Sequence, residues 1–568
     1  MQSAIDVRAA GQRARSGQVT LSDVSLSIAR GELVAIIGSS GSGKTTLLDI
    51  LSGLRSPSAG TVARASGNIG YVPQDDIIHL ALPLERTLRY AAALREVPPA
   101  AVEDVLRTLE LAGRALVPVG DLSGGERKRA SIAAELLAAP TLFFLDEPTS
   151  GLDPARGAEL MQALRVLTDN GTTVVLTTHN PLDAARCDQI AVLAADGGLA
   201  FSGTPDAALG YFGVGSLEEI YEFLAGAGDH ADRWSRRPLT IPSSGTDHPV
   251  SPASGVPVPS PPEPAGTHPN GSTPPAGATA DGAASRMLRP LRQWLLLTRR
   301  NADILARARL TLAILAGAPV MVLLMFLVLF RPGAFDPAHP SPGTTVMIVF
   351  WLAFGGFFFG LTYGLLQICA EFGVLRRERF GGVSATAYVL SKVAILLPLL
   401  GLVDAAFLVV LRALGRLPGS GDYGAMFVTL LLSSAAALAL GLLISAAVSD
   451  ASQATIALPM VCFPQVLFVG AILPVPVMAA VGRWISYLMT NRWTFEALGH
   501  SLGVGRLWAS GRSPLGPPLL ASYGQTFARP AGEDWLILAA FTVTFLAATV
   551  GVVMRKTRSA AQPGRQAG

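Results

Sequence analysis

Five short segments, in fixed order between Gly38 and His179, constrain this chain more than any other feature. GSSGSGKTT (Gly38 to Thr46) opens the series. Gln74 in YVPQDD, LSGGERKR (Leu122 to Arg129), TLFFLDEPTSGLD (Thr141 to Asp153) and LTTHN, which contains His179, follow. The first matches G-x-x-x-x-G-K-[ST]. Its glycines let successive backbone N–H groups point at phosphate oxygens, and the helix that follows adds its positive end. One such piece arises by chance; five in series at workable spacings do not. The same chain then runs on into several long apolar stretches, so a phosphate-handling domain is fused to a segment made for lipid.

Composition agrees. The 568 residues are too many for one core. Half are hydrophobic, 15% are charged and mean hydropathy is +0.43, values that suit a protein partly in lipid. A net charge of +3 is too small to argue for nucleic acid. The three cysteines (Cys187, Cys369, Cys462) give neither a disulfide framework nor a metal-ligand spacing, and read as small buried hydrophobes. Residues 1–30 lack the apolar core of a signal peptide, so the first half is expected on the cytosolic side.

Residues 1–235 read as mixed α/β. The runs LVAII (Leu33 to Ile37), TLFFL (Thr141 to Leu145) and TVVLTT (Thr173 to Thr178) each lead into a loop and a helical pattern. That alternation predicts a largely parallel, buried sheet flanked by helices. Residues 236–286 read as a linker: from about Ile241 to Ser285 they are rich in Pro, Gly, Ser and Ala and cannot bury enough surface to fold. A plain tether is expected, with a ligand for a proline-recognising partner as the alternative. Residues 287–309 are amphipathic and basic, the pattern of a helix on the inner leaflet. Six spans are expected within 310–558, near 310–330, 344–367, 389–412, 425–447, 454–474 and 535–554, and 559–568 is a tail. Arginines crowd the start of this half, the gap between spans two and three, and the end of span six, which places all three on the cytosolic side. Arg412 and Arg416 run mildly against that pattern. Between spans five and six, LPVPVMAAVGRWISYLMTNRWTFEAL is too apolar for a free outer loop and reads as a re-entrant or interfacial helix pair.

The chemistry can be assigned residue by residue. Gly38, Ser39, Gly41, Ser42, Gly43 and Thr46 build the phosphate cradle. Lys44 is expected on the β- and γ-phosphates and the Thr45 hydroxyl on Mg²⁺. Asp146 ends an apolar strand, where a carboxylate meets the nucleotide edge of a parallel sheet; its expected role is Mg²⁺ through water. Glu147 beside it is the expected general base for the attacking water. Ser123, Gly124 and Gly125, closed by Glu126, form a second anion-binding turn at a helix start.

LSGGE resembles the signature of the ATP-binding-cassette (ABC) family. In that family it contacts the γ-phosphate of ATP held by the opposite subunit, so the resemblance implies a head-to-tail dimer with two shared sites. Gln74 resembles the Q-loop residue that senses Mg²⁺ and faces the membrane domain. Asp153 in SGLD resembles the D-loop, and His179 the switch histidine that contacts the γ-phosphate. The order of ATPase before membrane domain, with the wording YVPQDD, ERTLRYAAALR, GLAFSGTPDAALGYFG and EFGVLRRERFGGVSATAYVLSK, resembles the G subfamily (the White type) and its bacterial relatives. The resemblance implies an α/β P-loop ATPase domain followed by an all-α six-helix transmembrane domain of the ABC-2, type V exporter-like kind. One departure stands out. The family stacks adenine on an aromatic residue upstream of the phosphate loop, and residues 1–37 contain none. An aliphatic such as Val7 is the expected substitute, with equal turnover of ATP and GTP as its sign.

By the same resemblance, Glu371, Arg376, Arg377, Glu378 and Arg379 form a coupling helix that docks on the ATPase domain; interleaved acids favour this over a lipid anchor made of arginines. Substrate candidates are Phe354 and Phe358, on one face of span two with Phe350 and Phe357, Asp404 inside span three, and Gln465 in span five. Ordinary packing is the alternative for the aromatics, a paired or neutral acid for Asp404, and a bond to a neighbouring helix for Gln465. The expected protein is an ATP- and Mg²⁺-dependent homodimeric half-transporter in a bacterial plasma membrane. Its ATPase domain and termini are cytosolic, and it exports an amphipathic or lipidic compound. The alternatives are an obligate heterodimer and a membrane-bound regulatory ATPase.

Overall fold

The structure, a computed structural model, describes residues 3–14, 17–75, 77–226, 278–510 and 512–558. The linker expected at 236–286 lies outside the described residues as far as 277, and the tail at 559–568 entirely so.

The N-terminal half holds two sheets. Strands β1 (Ser3–Arg13), β2 (Val19–Ala29) and β4 (Ala59–Arg64) form an antiparallel sheet in the order β2-β1-β4. Strands β3 (Leu33–Gly38), β5 (Ile69–Val72), β6 (Leu142–Asp146), β7 (Thr173–Thr177), β8 (Gln189–Leu193) and β9 (Leu199–Gly203) form the second, in the order β5-β6-β7-β3-β8-β9. It is parallel except for the β8–β9 pair. Every residue of β3, β6 and β7 is buried, as expected for central strands covered on both faces. Helices α1 (Lys44–Ser52), α2 (Leu84–Leu94), α3 (Ala100–Thr108), α4 (Gly124–Leu136), α5 (Pro154–Asp169), α6 (Pro181–Ala184), α7 (Pro205–Phe212) and α8 (Leu217–Gly226) complete this half. Each functional segment sits just after a strand of the second sheet or at the start of a helix. β3 delivers the phosphate loop, β6 delivers Asp146 and Glu147, and β7 delivers His179.

Helix α9 (Ala278–Arg307) leads into the membrane half: α10 (Arg309–Leu329), α11 (Pro342–Leu365), α12 (Phe372–Phe380), α13 (Ala385–Ala413), α14 (Tyr423–Ala447), α15 (Ala451–Leu467), α16 (Ala480–Tyr487), α17 (Thr490–Ser501), α18 (Val504–Ala509), α19 (Gly516–Tyr523) and α20 (Ala531–Arg558). Among the described residues five helices are long and apolar enough to cross a membrane. The segment expected as span five differs: α15 is apolar but only 17 residues long, with Pro459 and Pro464 inside it. Two prolines remove two backbone donors, and the helix stops at Leu467 rather than reaching 474. Most of the expected helix pair is α16 and α17, and residues 490–499 are buried throughout.

Close backbone approach organises the spans. Gly356, Gly360 and Gly364, four apart on α11, face Ser434, Ala437 and Gly441 on α14. A Cβ at Gly360 would lie 2.3 Å from the Ser434 carbonyl oxygen. Helices in lipid gain from such contact because apolar side chains alone give no preference for protein over lipid.

Candidate nucleotide site and its link to the membrane helices

The phosphate loop turns sharply from β3 into α1. Gly41 has φ 83° and Gly43 φ 94°, values that a side chain disfavours, and a Cβ at Gly43 would meet the Thr20 carbonyl oxygen at 2.5 Å. Nothing would meet a Cβ at Gly41 within 4 Å, so the loop leaves an open cradle. The Ser42 hydroxyl is buried there without a hydrogen-bond partner among the described residues. The Lys44 ammonium donates to the carbonyls of Gly38 and Ser39, each at 2.9 Å. Burial draws it below its ordinary value, and the carboxylates of Glu147 and Asp146 pull it the other way. An open loop, an unpaired hydroxyl and a lysine over the α1 N-terminus fit a polyphosphate.

Two hard oxygen donors meet beside the loop. Thr45 Oγ1 donates to Asp146 Oδ1 at 3.2 Å, a pairing whose donor types fit Mg²⁺. Asp146 is raised above the usual carboxylate range by burial, offset by hydrogen bonds from Thr177 and Thr45. Thr177 was not singled out in the sequence, yet it holds both acids. Its hydroxyl donates to Asp146 at 2.5 Å and accepts the Glu147 N–H at 2.9 Å. The registered pairing of Asp146 with Thr177 across β6 and β7 puts it there, and the doubled threonine closing TVVLTT was the available signal.

Glu147 has φ 46°, a left-handed conformation that costs a residue with a Cβ about 1–3 kcal/mol. Its Oε2 accepts from Gln74 Nε2 at 3.0 Å and lies 3.6 Å from His179 Nδ1. The structure thus brings together Lys44, Thr45, Gln74, Asp146, Glu147 and His179. Ser123 and Glu126 form a capping box at the start of α4: Ser123 Oγ accepts the Glu126 N–H and the Glu126 carboxylate accepts the Ser123 N–H. Those bonds, helped by Arg114, hold Glu126 down at about 2. Gly124 is open, with nothing within 4 Å of a Cβ. Asp153 caps α5 by accepting the Arg156 N–H at 3.0 Å. Val7 does not serve as a base contact: it is buried in β1, paired with Leu26 and Val62, because alternation in an antiparallel strand turns it into the core.

From this cluster the chain leads straight to the membrane half. Lys128 on α4 donates to the carbonyls of Pro73 and Gln74, at 3.0 and 2.8 Å. Three residues on from Gln74, the Ile77 carbonyl accepts from Arg377 of α12. Arg377 also faces Glu135 of α4 at 3.3 Å, and Arg95 joins the same carboxylate at 2.7 Å. Glu135, buried within ASIAAELL, reads in sequence as an ordinary helix charge and carries no local signal of this use. Arg376 lines a cavity of about 370 Å³ together with Thr45, Gln74 and Asp146. Glu378 pairs with Arg300 of α9. Glu371 and Arg379 turn into the membrane half, toward Lys392 at 2.8 Å and toward Val383 and Thr557 respectively.

The substrate candidates do not form one site. Phe354 stacks between Phe350 and Phe358 on α11, with centroids 6.2 and 5.9 Å away. Asp404 is fully buried and lies 2.8 Å from the Ser434 hydroxyl. Gln465 bonds a neighbouring helix: its Oε1 accepts the Asn491 N–H at 3.0 Å and its carbonyl accepts from the Asn491 amide.

Comparison with known proteins places this geometry. Residues 21–150 match the ABC transporter family and residues 292–502 the ABC-2 type transporter family. An ABC transporter ATP-binding/permease protein of Mycobacterium tuberculosis is 30% identical over 523 residues, 87% of this chain and 57% of that protein. ATP-binding cassette sub-family G member 5 of Mus musculus is 38% identical over 218 residues, 34% of this chain and 33% of that protein. The macrolide export ATP-binding/permease protein MacB of Salmonella typhi is 37% identical over 190 residues, 30% of this chain and 29% of that protein. The chain spans between 29% and 57% of the length of these relatives. It is a multi-pass membrane protein by its apolar helices and its ABC-2 domain. With both domains present in this order, and relatives in both the bacterial and the G-subfamily groups, the chain belongs to the ABC transporters as an ABC-2 type, ABCG-like member.

Proposed function

We propose that this protein hydrolyses ATP to export an amphipathic, lipidic or hydrophobic small molecule, working as a homodimeric half-transporter of the plasma membrane with its ATPase domain and both termini in the cytosol. The observation that carries the proposal is the chain of contacts Glu147–Gln74…Ile77–Arg377, which ties the hydrolytic carboxylate to the membrane helices. MgATP supplies the phosphoanhydride bond whose hydrolysis drives the cycle. Lys44 and the backbone N–H groups of the loop would bind and orient the phosphates, and Thr45 and Asp146 would hold Mg²⁺. Glu147 would take the proton of the attacking water, with Gln74 fixing Oε2 and His179 within reach of the same oxygen. Ser123, Gly124 and Asp153 would complete the second subunit's site. The MacB relative is named for macrolide export, which supports export of an apolar organic compound here.

The deciding experiment compares small molecules and lipids in cells and medium for wild type and Glu147→Gln at equal expression. A compound retained inside only in the variant names the substrate and fixes the direction. No difference in either fraction moves the reading to a heterodimer or to a regulatory ATPase. Asp404→Asn in the same assay tests the buried acid: unchanged transport and unchanged fold remove it from the substrate path.

A further inference from the structure

A groove of about 540 Å³ runs between α2 of the ATPase half and α9 of the membrane half. Arg86, Arg89 and Tyr90 line it from α2, and Leu296, Arg299 and Arg307 from α9. Spacing explains the convergence. Positions 299, 303 and 307 lie four apart on one face of α9, and 86, 89, 90 and 93 share one face of α2. Two of the four arginines are compensated: Arg86 pairs with Asp303 at 2.8 Å and Arg89 with Glu85 at 2.5 Å. The Tyr90 hydroxyl also bonds Asp303, which pins the two helices together. Arg299 and Arg307 are exposed and make no salt bridge among the described residues, so the groove carries two uncompensated positive charges.

Its depth is set by the chain. The apolar stretch Thr311–Leu329 begins four residues after Arg307, across the helix break at Ala308, which is at most about 14 Å of chain. Arg307 is therefore at headgroup level, and the groove opens from there into the junction of the two halves. Leu116 at its wall is 79% exposed and Leu296 of α9 is half-buried, which gives apolar surface beside the charges.

We infer that this groove binds the headgroup of an anionic phospholipid of the cytosolic leaflet, with Arg299 and Arg307 on the phosphate and Leu116 and Leu296 against the glycerol and upper acyl chain. A phosphate diester supplies the missing negative charge, and guanidinium groups match its oxygens in pairs. Bound there, the lipid touches both halves, so the leaflet's composition bears on how the ATPase half is held. The site stands apart from the exported compound and does not depend on its identity.

The test titrates the purified full chain in detergent with fluorescent phosphatidylglycerol and, separately, fluorescent phosphatidylcholine. Phosphatidylglycerol is expected to bind more tightly. Arg299→Gln with Arg307→Gln should weaken it about 30-fold, each arginine contributing about a factor of five. The paired lysine variants, which keep the charge but lose the paired contacts, should retain only part of the binding. Arg555→Gln, an exposed arginine at the end of α20, should leave it unchanged. Equal loss in Arg555→Gln would reduce the site to diffuse surface charge, and no loss in the double variant would overturn it. Displacement by inorganic phosphate or glycerol phosphate at the lipid's own concentration would replace the lipid by a soluble phosphate ligand.

Discussion

At the scale of single residues, the site concentrates unfavourable choices on Glu147. Its backbone is left-handed and its carboxylate is shared between Gln74 and His179. Such strain persists only where the surroundings over-determine it, and Thr177 supplies that hold. Glu147→Gln keeps the shape and an acceptor for Gln74 but loses the carboxylate proposed as the base. ATP turnover should fall about 100-fold or more, while equilibrium nucleotide binding stays near wild type. Gly43→Ala should do the reverse and abolish nucleotide binding, because its Cβ would press on the Thr20 carbonyl. Residues in contiguous motifs were legible in sequence, since a phosphate loop needs its glycines and lysine side by side. Thr177 and Glu135 were not. Their use depends on strand register and on a partner from the other half, and local sequence encodes neither.

At the scale of elements, the expected and observed helices agree best where the apolar run is long, as in α14 and in α13, which continues through its one proline, and least at α15, which holds two prolines within 17 residues. Helix contacts in the membrane half were not legible, although their means was present as glycines four apart. Gly360→Leu should separate α11 from α14 and lower the thermal midpoint of the purified protein by several degrees, whereas Gly343→Leu, in open space at the start of the same helix, should leave it near wild type. The pair Arg300–Glu378, joining α9 to α12, is buried on both sides. Removing Arg300 alone leaves an uncompensated buried carboxylate and should cost about 3–5 kcal/mol, while Arg300→Leu with Glu378→Leu should recover most of it. Denaturation of the two variants side by side reads the difference.

At the scale of the whole molecule, the two halves meet through charges that each contributes. His79, on the ATPase side, lies among Arg300, Glu371, Glu378 and Lys392. Burial, reinforced by the Arg300 guanidinium, pushes it down to about 4. An unfolded histidine titrates near 6.5, so between about 6.5 and 4 the unfolded chain takes a proton that the folded chain refuses. Stability from this group is complete above about 6.5 and is lost progressively as pH falls toward 4. His79→Gln should flatten that part of the thermal-midpoint profile. Arg377→Ala should leave basal ATP turnover in place and remove its response to transported compound. The docking helix was expected from its resemblance, but the partner of Arg377 was not, because Ile77 lies 300 positions away. The short segment from Gln74 to Ile77 has a mechanical consequence. Three residue steps span at most about 10 Å of chain, already anchored at both ends. Displacement of the carboxylate end beyond that reach must therefore be passed to the α12 end. In the proposed cycle a compound wedged beside this segment would then be expected to slow hydrolysis and helix movement together.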